Sequence, residues 1–256
     1  MHTLTSADGV TIAYERSGRG PALVIVNGAL STRQAVAPLT SLLESEFTVY
    51  RYDRRGRGHS SDSDSYAVER ELEDLAAVAR TAGDAPYVYG HSSGGALSLE
   101  AAATGVSMRG LVVHEPPYVP GPPTSPETAD DLSALVAGGR RDEAVERFLG
   151  NTGVPETMLA QIRASPVWGA MLGLAHTLPY DVRLCNEGRV PAERLAQIPC
   201  PVLATVGSLS APWALEAARA VAAAIPDGDW RTLEGQSHAI VPDVLAALLR
   251  ERFASQ

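Results

Sequence analysis

Two short stretches carry residue types that could do chemistry. The first is Gly90-His91-Ser92-Ser93-Gly94, a G-x-S-x-G motif. The run before it, "APYVYG", reads as a buried strand, and "SSGGALSLEAAATG" after it reads as a helix of small residues. Between a strand and a helix this motif predicts a nucleophile elbow, a turn so tight that Ser92 is strained with its hydroxyl above the sheet. A side chain at Gly90 or Gly94 would collide with that turn. The helix behind Ser92 offers unpaired N–H groups and a positive dipole end, which suit a developing anion. The second stretch is "LVVHEPPY", Leu111–Tyr118: an apolar strand that ends in a carboxylate, Glu115, and then meets two prolines.

The elements that must position these residues alternate. "HTLT" and "VTIAYERSG" flank the turn signal "ADG" and read as a hairpin. "PALVIVNG", "FTVYRYD", "APYVYG", "RGLVVHE", "PCPVLATVG" and "DWRTLEG" read as strands. Between them "STRQAVAPLTSLLES" reads as a helix kinked at Pro38, "VERELEDLAAVARTAG" as an amphipathic helix closing at Gly83, and "APWALEAARAVAAAIP" as another. "PDVLAALLRERFA" ends the chain as a helix. This order predicts an α/β fold, a mostly parallel central sheet with helices on both faces. The alternation stops between Pro116 and Ile198, where a Pro-rich stretch leads into helical pieces. The expected organisation is a core of residues 1–115 and 199–256 with a helical cap inserted at 116–198.

With "GHSSG" in this context the chain resembles the α/β-hydrolase family, over nearly its whole length. "YDRRGRGHS" is similar to the family's D-x-R-G-x-G-x-S turn, "VNGAL" stands where the family usually has a His-Gly pair, and "GQSHAI" is similar to the late loop that carries the catalytic histidine. Asp53, Arg55 and Gly56 of the first are expected to brace the turn. The resemblance implies Ser92 as nucleophile and His238 as its base, since a loop after the last strand can reach back over the sheet. Of the other five histidines, His2 is terminal, His91 and His114 are expected to pack and hydrogen-bond, His59 to be solvated, and His176 is a candidate to face substrate. Oxyanion donors are expected from the N–H of Ser93 and from Gly28 or Ala29. Asn27, where the family has histidine, either braces its loop or touches substrate.

The sequence departs from the family at the acid. Most α/β-hydrolases carry it after the strand "PVLATVG" represents, but the loop here reads "GSLSAPWA", with serines and no carboxylate. Glu115 supplies a relocation. It follows Ser92 by one helix and one strand, so its strand is expected beside that of Ser92, ending on the same rim. "HEPP" is similar to the corresponding stretch of zearalenone-type lactonases, which place the acid there. Glu115 is therefore the expected partner of His238, with Asp227, Asp229 and Asp243 as weaker rivals, the first two preceding the last strand. Ser210, in the vacated loop, is expected to be dispensable.

Trp168, His176 and Trp213 are possible pocket residues, although ordinary packing serves each as well. The implied function is hydrolysis of a carboxylic ester or lactone through an acyl-enzyme, on a small, largely apolar substrate. C–C bond hydrolysis, a non-hydrolytic cyclase or lyase, and a ligand-binding receptor with vestigial chemistry remain as alternatives. No cofactor or metal is expected; no histidine or cysteine pair has ligand spacing. The net charge of −9 argues against nucleic acid as a partner. Two cysteines, no signal-like N-terminus and no apolar run of membrane length imply a cytoplasmic chain with reduced thiols, a monomer or homodimer.

Overall fold

A computed structural model describes residues 1–118 and 129–254. The Pro-rich opening of the expected insertion, from 119 to 128, lies outside them. The first hairpin is β1 (His2–Thr5) and β2 (Thr11–Gly18), followed by β3 (Ala22–Val26), α1 (Ala37–Leu43) and β4 (Thr48–Tyr52). Then come α2 (Val68–Ala82), β5 (Tyr87–His91), α3 (Ser93–Ala103) and β6 (Gly110–His114). Helices α4 (Ala129–Ala137), α5 (Arg141–Asn151), α6 (Glu156–Arg163), α7 (Val167–Leu174), α8 (Leu178–Leu184) and α9 (Ala192–Leu195) lie between β6 and β7 (Val202–Gly207). The chain then runs through α10 (Pro212–Ala224), β8 (Gly228–Leu233) and α11 (Pro242–Ala254).

The eight strands form one sheet in the order β1-β2-β4-β3-β5-β6-β7-β8. β2 runs antiparallel to both neighbours, and β4, β3, β5, β6, β7 and β8 are mutually parallel. The central strands are apolar on successive residues because each face is covered. Val24, Val26, Val88, Val113 and Ala204 pack with α2, α3 and α10, whereas Leu23, Ile25, Tyr89, Val112 and Leu203 pack with α1 and α11. A one-residue shift of register would exchange the two sets.

The structure revises two local readings. Residues 33–36 form a short 3-10 turn, and Pro38 stands in the first turn of α1 instead of kinking a longer helix. Proline is favoured there because its missing N–H would have no intrahelical partner. Asp229 lies inside β8 instead of before it. The helices from 167 to 195 are short and break at Pro and Gly, so no long periodic pattern announced them.

Candidate active site

The elbow is built as its glycines require. Ser92 has φ 53° and ψ −126°, and its N–H donates to the His114 carbonyl at 2.9 Å. A Cβ on Gly90 would lie 2.6 Å from the Gly94 carbonyl oxygen, and one on Gly94 2.3 Å from that of Val26. A Cβ on Gly28 would lie 2.9 Å from Ser92 Cβ, so only glycine lets this loop close on Ser92. Four non-glycine residues among those described have positive φ, and three of them, Leu30, Ser92 and Glu115, are at this rim. Strain of this kind costs about 1–3 kcal/mol per residue and persists where the surroundings over-determine it.

Sheet register sets the partners. His91 on β5 pairs with His114 on β6, and His114 with Thr205 on β7. The next residue, Glu115, donates its N–H to the Thr205 carbonyl at 3.0 Å and turns into left-handed backbone with φ 45°. Its side chain is buried, and Oε2 lies 2.8 Å from Nδ1 of His238, which is half-exposed on the loop after β8. Oε1 accepts from the Gly207 N–H at 2.9 Å and from the Ser210 hydroxyl. Burial opposes ionisation of this carboxyl, but the bonds from His238, Ser210 and Gly207 and the nearby His114 outweigh it and bring the pKa down to about 2. An ionised Glu115 fixes the proton of His238 on Nδ1 and leaves Nε2 free to take another.

The loop without a carboxylate thus donates to one. This corrects the expectation that Ser210 is dispensable: it braces Glu115. Gly207 also contributes more than its N–H, because a Cβ there would lie 2.3 Å from the Gln236 carbonyl oxygen of the histidine loop. No sequence signal marked either residue.

His91 and His114 both secure that loop. Nε2 of His91 donates to the His238 carbonyl at 2.8 Å, and Nε2 of His114 to the Ser237 carbonyl at 3.1 Å. Burial, joined by neighbouring imidazoles, depresses their pKa values to about 3 and about 4. Both are therefore neutral, and Nδ1 of His114 accepts from the Thr205 hydroxyl at 3.0 Å. Their expected packing role stands with these partners.

The remaining residues divide. Among the described residues, the N–H groups of Gly28, Ala29 and Ser93 have no hydrogen-bond acceptor. Asn27 Nδ2 donates to the Thr32 carbonyl at 3.0 Å, which braces its loop. His176 donates its Nε2 proton to the Gly56 carbonyl at 2.9 Å, and its Nδ1 is buried without a partner among the described residues. Trp168 packs on an apolar cluster of the inserted helices that also touches Ala29 and Leu30, and Trp213 packs against the cluster on the α2–α3–α10 face of the sheet. Asp53 accepts from Arg33 and from the His59 N–H, and Arg55 pairs with Asp74 and Asp8, so this turn is structural as expected. His59 is largely exposed. Asp227 and Asp243 are not among the partners of His238. No group of three or more metal-ligating side chains occurs among the described residues.

A parallel sheet with helices on both faces, bearing a serine at a strained strand-to-helix turn, defines the class of an α/β-hydrolase. The sequence model of the "Alpha/beta hydrolase family" matches residues 23–250, and the chain belongs to that family. It is similar to an alpha/beta hydrolase from Sphaerobacter thermophilus DSM 20745, with a TM-score of 0.94 and 47% identity over 98% of this chain and 100% of that one. The enol-lactonase from Burkholderia xenovorans LB400 shares the fold, at a TM-score of 0.76 and 18% identity over 100% of both chains. Among curated proteins, the pimeloyl-(acyl-carrier protein) methyl ester esterase of Stenotrophomonas maltophilia is 38% identical over 100 residues, 39% of this chain and 37% of its own. The N-formylmaleamate deformylase of Pseudomonas putida is 35% identical over 122 residues, 46% of this chain and 45% of its own. The chain therefore aligns with less than half the length of these two relatives. No described helix is long and apolar enough to cross a membrane.

Proposed function

We propose that this chain is a serine hydrolase that cleaves a small, largely apolar carboxylic ester or lactone with the triad Ser92, His238 and Glu115. The observation that carries the reading is the 2.8 Å contact between the buried Glu115 carboxylate and His238 Nδ1. The family, and the esterase, deformylase and enol-lactonase among its relatives and fold neighbours, agree with it. In this reading Ser92 Oγ attacks the carbonyl carbon while His238 Nε2 takes its proton. The oxyanion is held by the N–H of Ser93 and that of Gly28 or Ala29. His238 then protonates the leaving alkoxide, and the acyl-enzyme is cleaved by water that His238 deprotonates. The inserted helices at 116–198 act as a cap that excludes bulk water, and no cofactor takes part. Both cysteines are buried and unpaired, which suits a cytoplasmic chain.

The test is hydrolysis of short nitrophenyl esters and lactones, together with labelling by a fluorophosphonate. Wild type should turn over and gain one phosphonyl group on Ser92, and Ser92→Ala should do neither. Turnover retained by pure Ser92→Ala would remove Ser92 as nucleophile.

A further inference from the structure

The Arg-rich turn between β4 and α2 holds a second cluster that the reaction so far does not use. Arg54 and Arg57 are fully buried, at 2% and 1% exposure. Glu71 of α2 takes Arg54 through both oxygens, at 2.7 and 2.9 Å. Asp181 of α8, 1% exposed, accepts at 2.9 Å from each of the two arginines, one on each oxygen. It also accepts from the Ser93 hydroxyl at 2.7 Å. The arginines reach onward to backbone: Arg54 donates to the Asn27 carbonyl and Arg57 to the Gly28 carbonyl, each at 3.3 Å.

Those two carbonyls matter because of peptide geometry. In a planar trans peptide the N–H points opposite to the C=O. Turning the Asn27 oxygen to Arg54 turns the Gly28 N–H away from it. Turning the Gly28 oxygen to Arg57 does the same for the Ala29 N–H. These are two of the three N–H groups beside Ser92 that have no acceptor among the described residues, and the third belongs to Ser93, whose side chain Asp181 holds. A flip of either peptide would place a carbonyl oxygen where an anion must sit.

We propose that Asp181 is a positioning residue for the oxyanion hole: it holds Arg54, Arg57 and Ser93 so that the two arginines lock the Asn27–Gly28 and Gly28–Ala29 peptides with their N–H groups free for the oxyanion. One carboxylate on an inserted helix thereby ties the seating of that helix to the competence of the site. The stacking of Tyr66, just before α2, on Tyr180 of α8, ring centroids 4.0 Å apart, and the bond from His176, in the 3-10 turn before α8, to Gly56 hold this helix against the segment between β4 and α2. The inference rests on the hydrolase reading above.

The test compares wild type with Asp181→Asn, Arg57→Lys and Ser93→Ala. Asp181→Asn removes the charge shared by both arginines. Arg57→Lys keeps a buried cation but cannot span Asp181 and the Gly28 carbonyl together. Ser93→Ala deletes one hydroxyl and keeps the backbone donor, so a folded variant is available whatever the first two do. Folding is checked by circular dichroism and melting, and active sites are counted by burst titration. For folded variants, kcat per site should fall about 10- to 100-fold, less than the 10²–10³ lost when a donor is removed outright. KM should move by less than about threefold, because ground-state binding does not use the hole. The affinity for a boronic acid, which becomes a tetrahedral anion on Ser92, should fall in parallel with kcat/KM. A purely structural role would lower the melting temperature and leave per-site kcat and boronate affinity at wild-type values, and that result in the folded variants would overturn the proposal. Wild type that neither turns over nor labels would instead overturn the hydrolase reading.

Discussion

In the proposed triad, Glu115 is the residue on which the chemistry turns. It keeps His238 in one tautomer through a single oxygen while the other is held by Gly207 and Ser210. Glu115→Gln keeps the shape and removes the charge, so kcat should fall by about 10⁴, as in the known aspartate-to-asparagine change of a triad. A wild-type rate for this variant would return "HEPP" to a structural strand end. Ser210→Ala should cost far less, about 3- to 10-fold in kcat, because the Gly207 N–H still holds the same oxygen. The pair Glu115→Gln with Ser210→Asp restores a carboxylate where most of the family carries it, and should recover part of the rate lost by Glu115→Gln alone. At Gly28 the argument is steric: Gly28→Ala would press a methyl against Ser92 and the His91 carbonyl, and should abolish turnover and lower the unfolding free energy by about 1–3 kcal/mol.

At the scale of elements, the site is the meeting of the ends of β5, β6 and β7 with the loop after β8. Neutral His91 and His114 pin that loop by its backbone. The folded pKa of His114, about 4, is below its ordinary 6.5, so between those values the unfolded chain takes up a proton that the folded chain refuses. Its contribution to stability is complete above pH 6.5 and is lost as pH falls toward 4, at up to about 1.4 kcal/mol per pH unit. Glu115, lowered from 4.5 to about 2, extends the loss from pH 4.5 downward. Melting temperatures measured from pH 8 to 3 should therefore begin to drop near pH 6.5. In His114→Gln the curve should be flatter between pH 6.5 and 4, and a curve parallel to wild type would sink the assignment.

Across the whole molecule, the buried ionic cluster joins three parts of the chain: the turn after β4, α2, and α8 of the insertion. Breaking a buried pair by removing one partner leaves an uncompensated charge. Arg54→Met would strand Glu71 and half of Asp181, and should lower unfolding free energy by about 3–5 kcal/mol in urea titration. That loss should change little with added salt, because buried pairs are weakly screened. Exposed pairs such as Arg70–Glu73 should contribute far less.

The sequence by itself determined the parts that local physics dictates. Continuous apolar runs marked the parallel strands, Gly90 and Gly94 marked a turn that tolerates no side chain, and a carboxylate ending a buried strand pointed to Glu115. These signals lie within one element and its immediate neighbours. What only the tertiary structure decided depends on elements far apart in the chain. In "RYDRRGRGHS" the partners of the arginines were not legible: Arg54, Arg55 and Arg57 are buried, and their acceptors include Asp74 and Asp181 on separate helices. His176 read as one of several candidate pocket residues, and its partner is a carbonyl in that same turn. Ser210 read as an empty position, and it donates to a residue on the neighbouring strand. A serine, an arginine or a histidine does not announce its partner in its own neighbourhood; strand register and helix seating assign it, because a buried polar group must find an acceptor or donor wherever the fold has placed one.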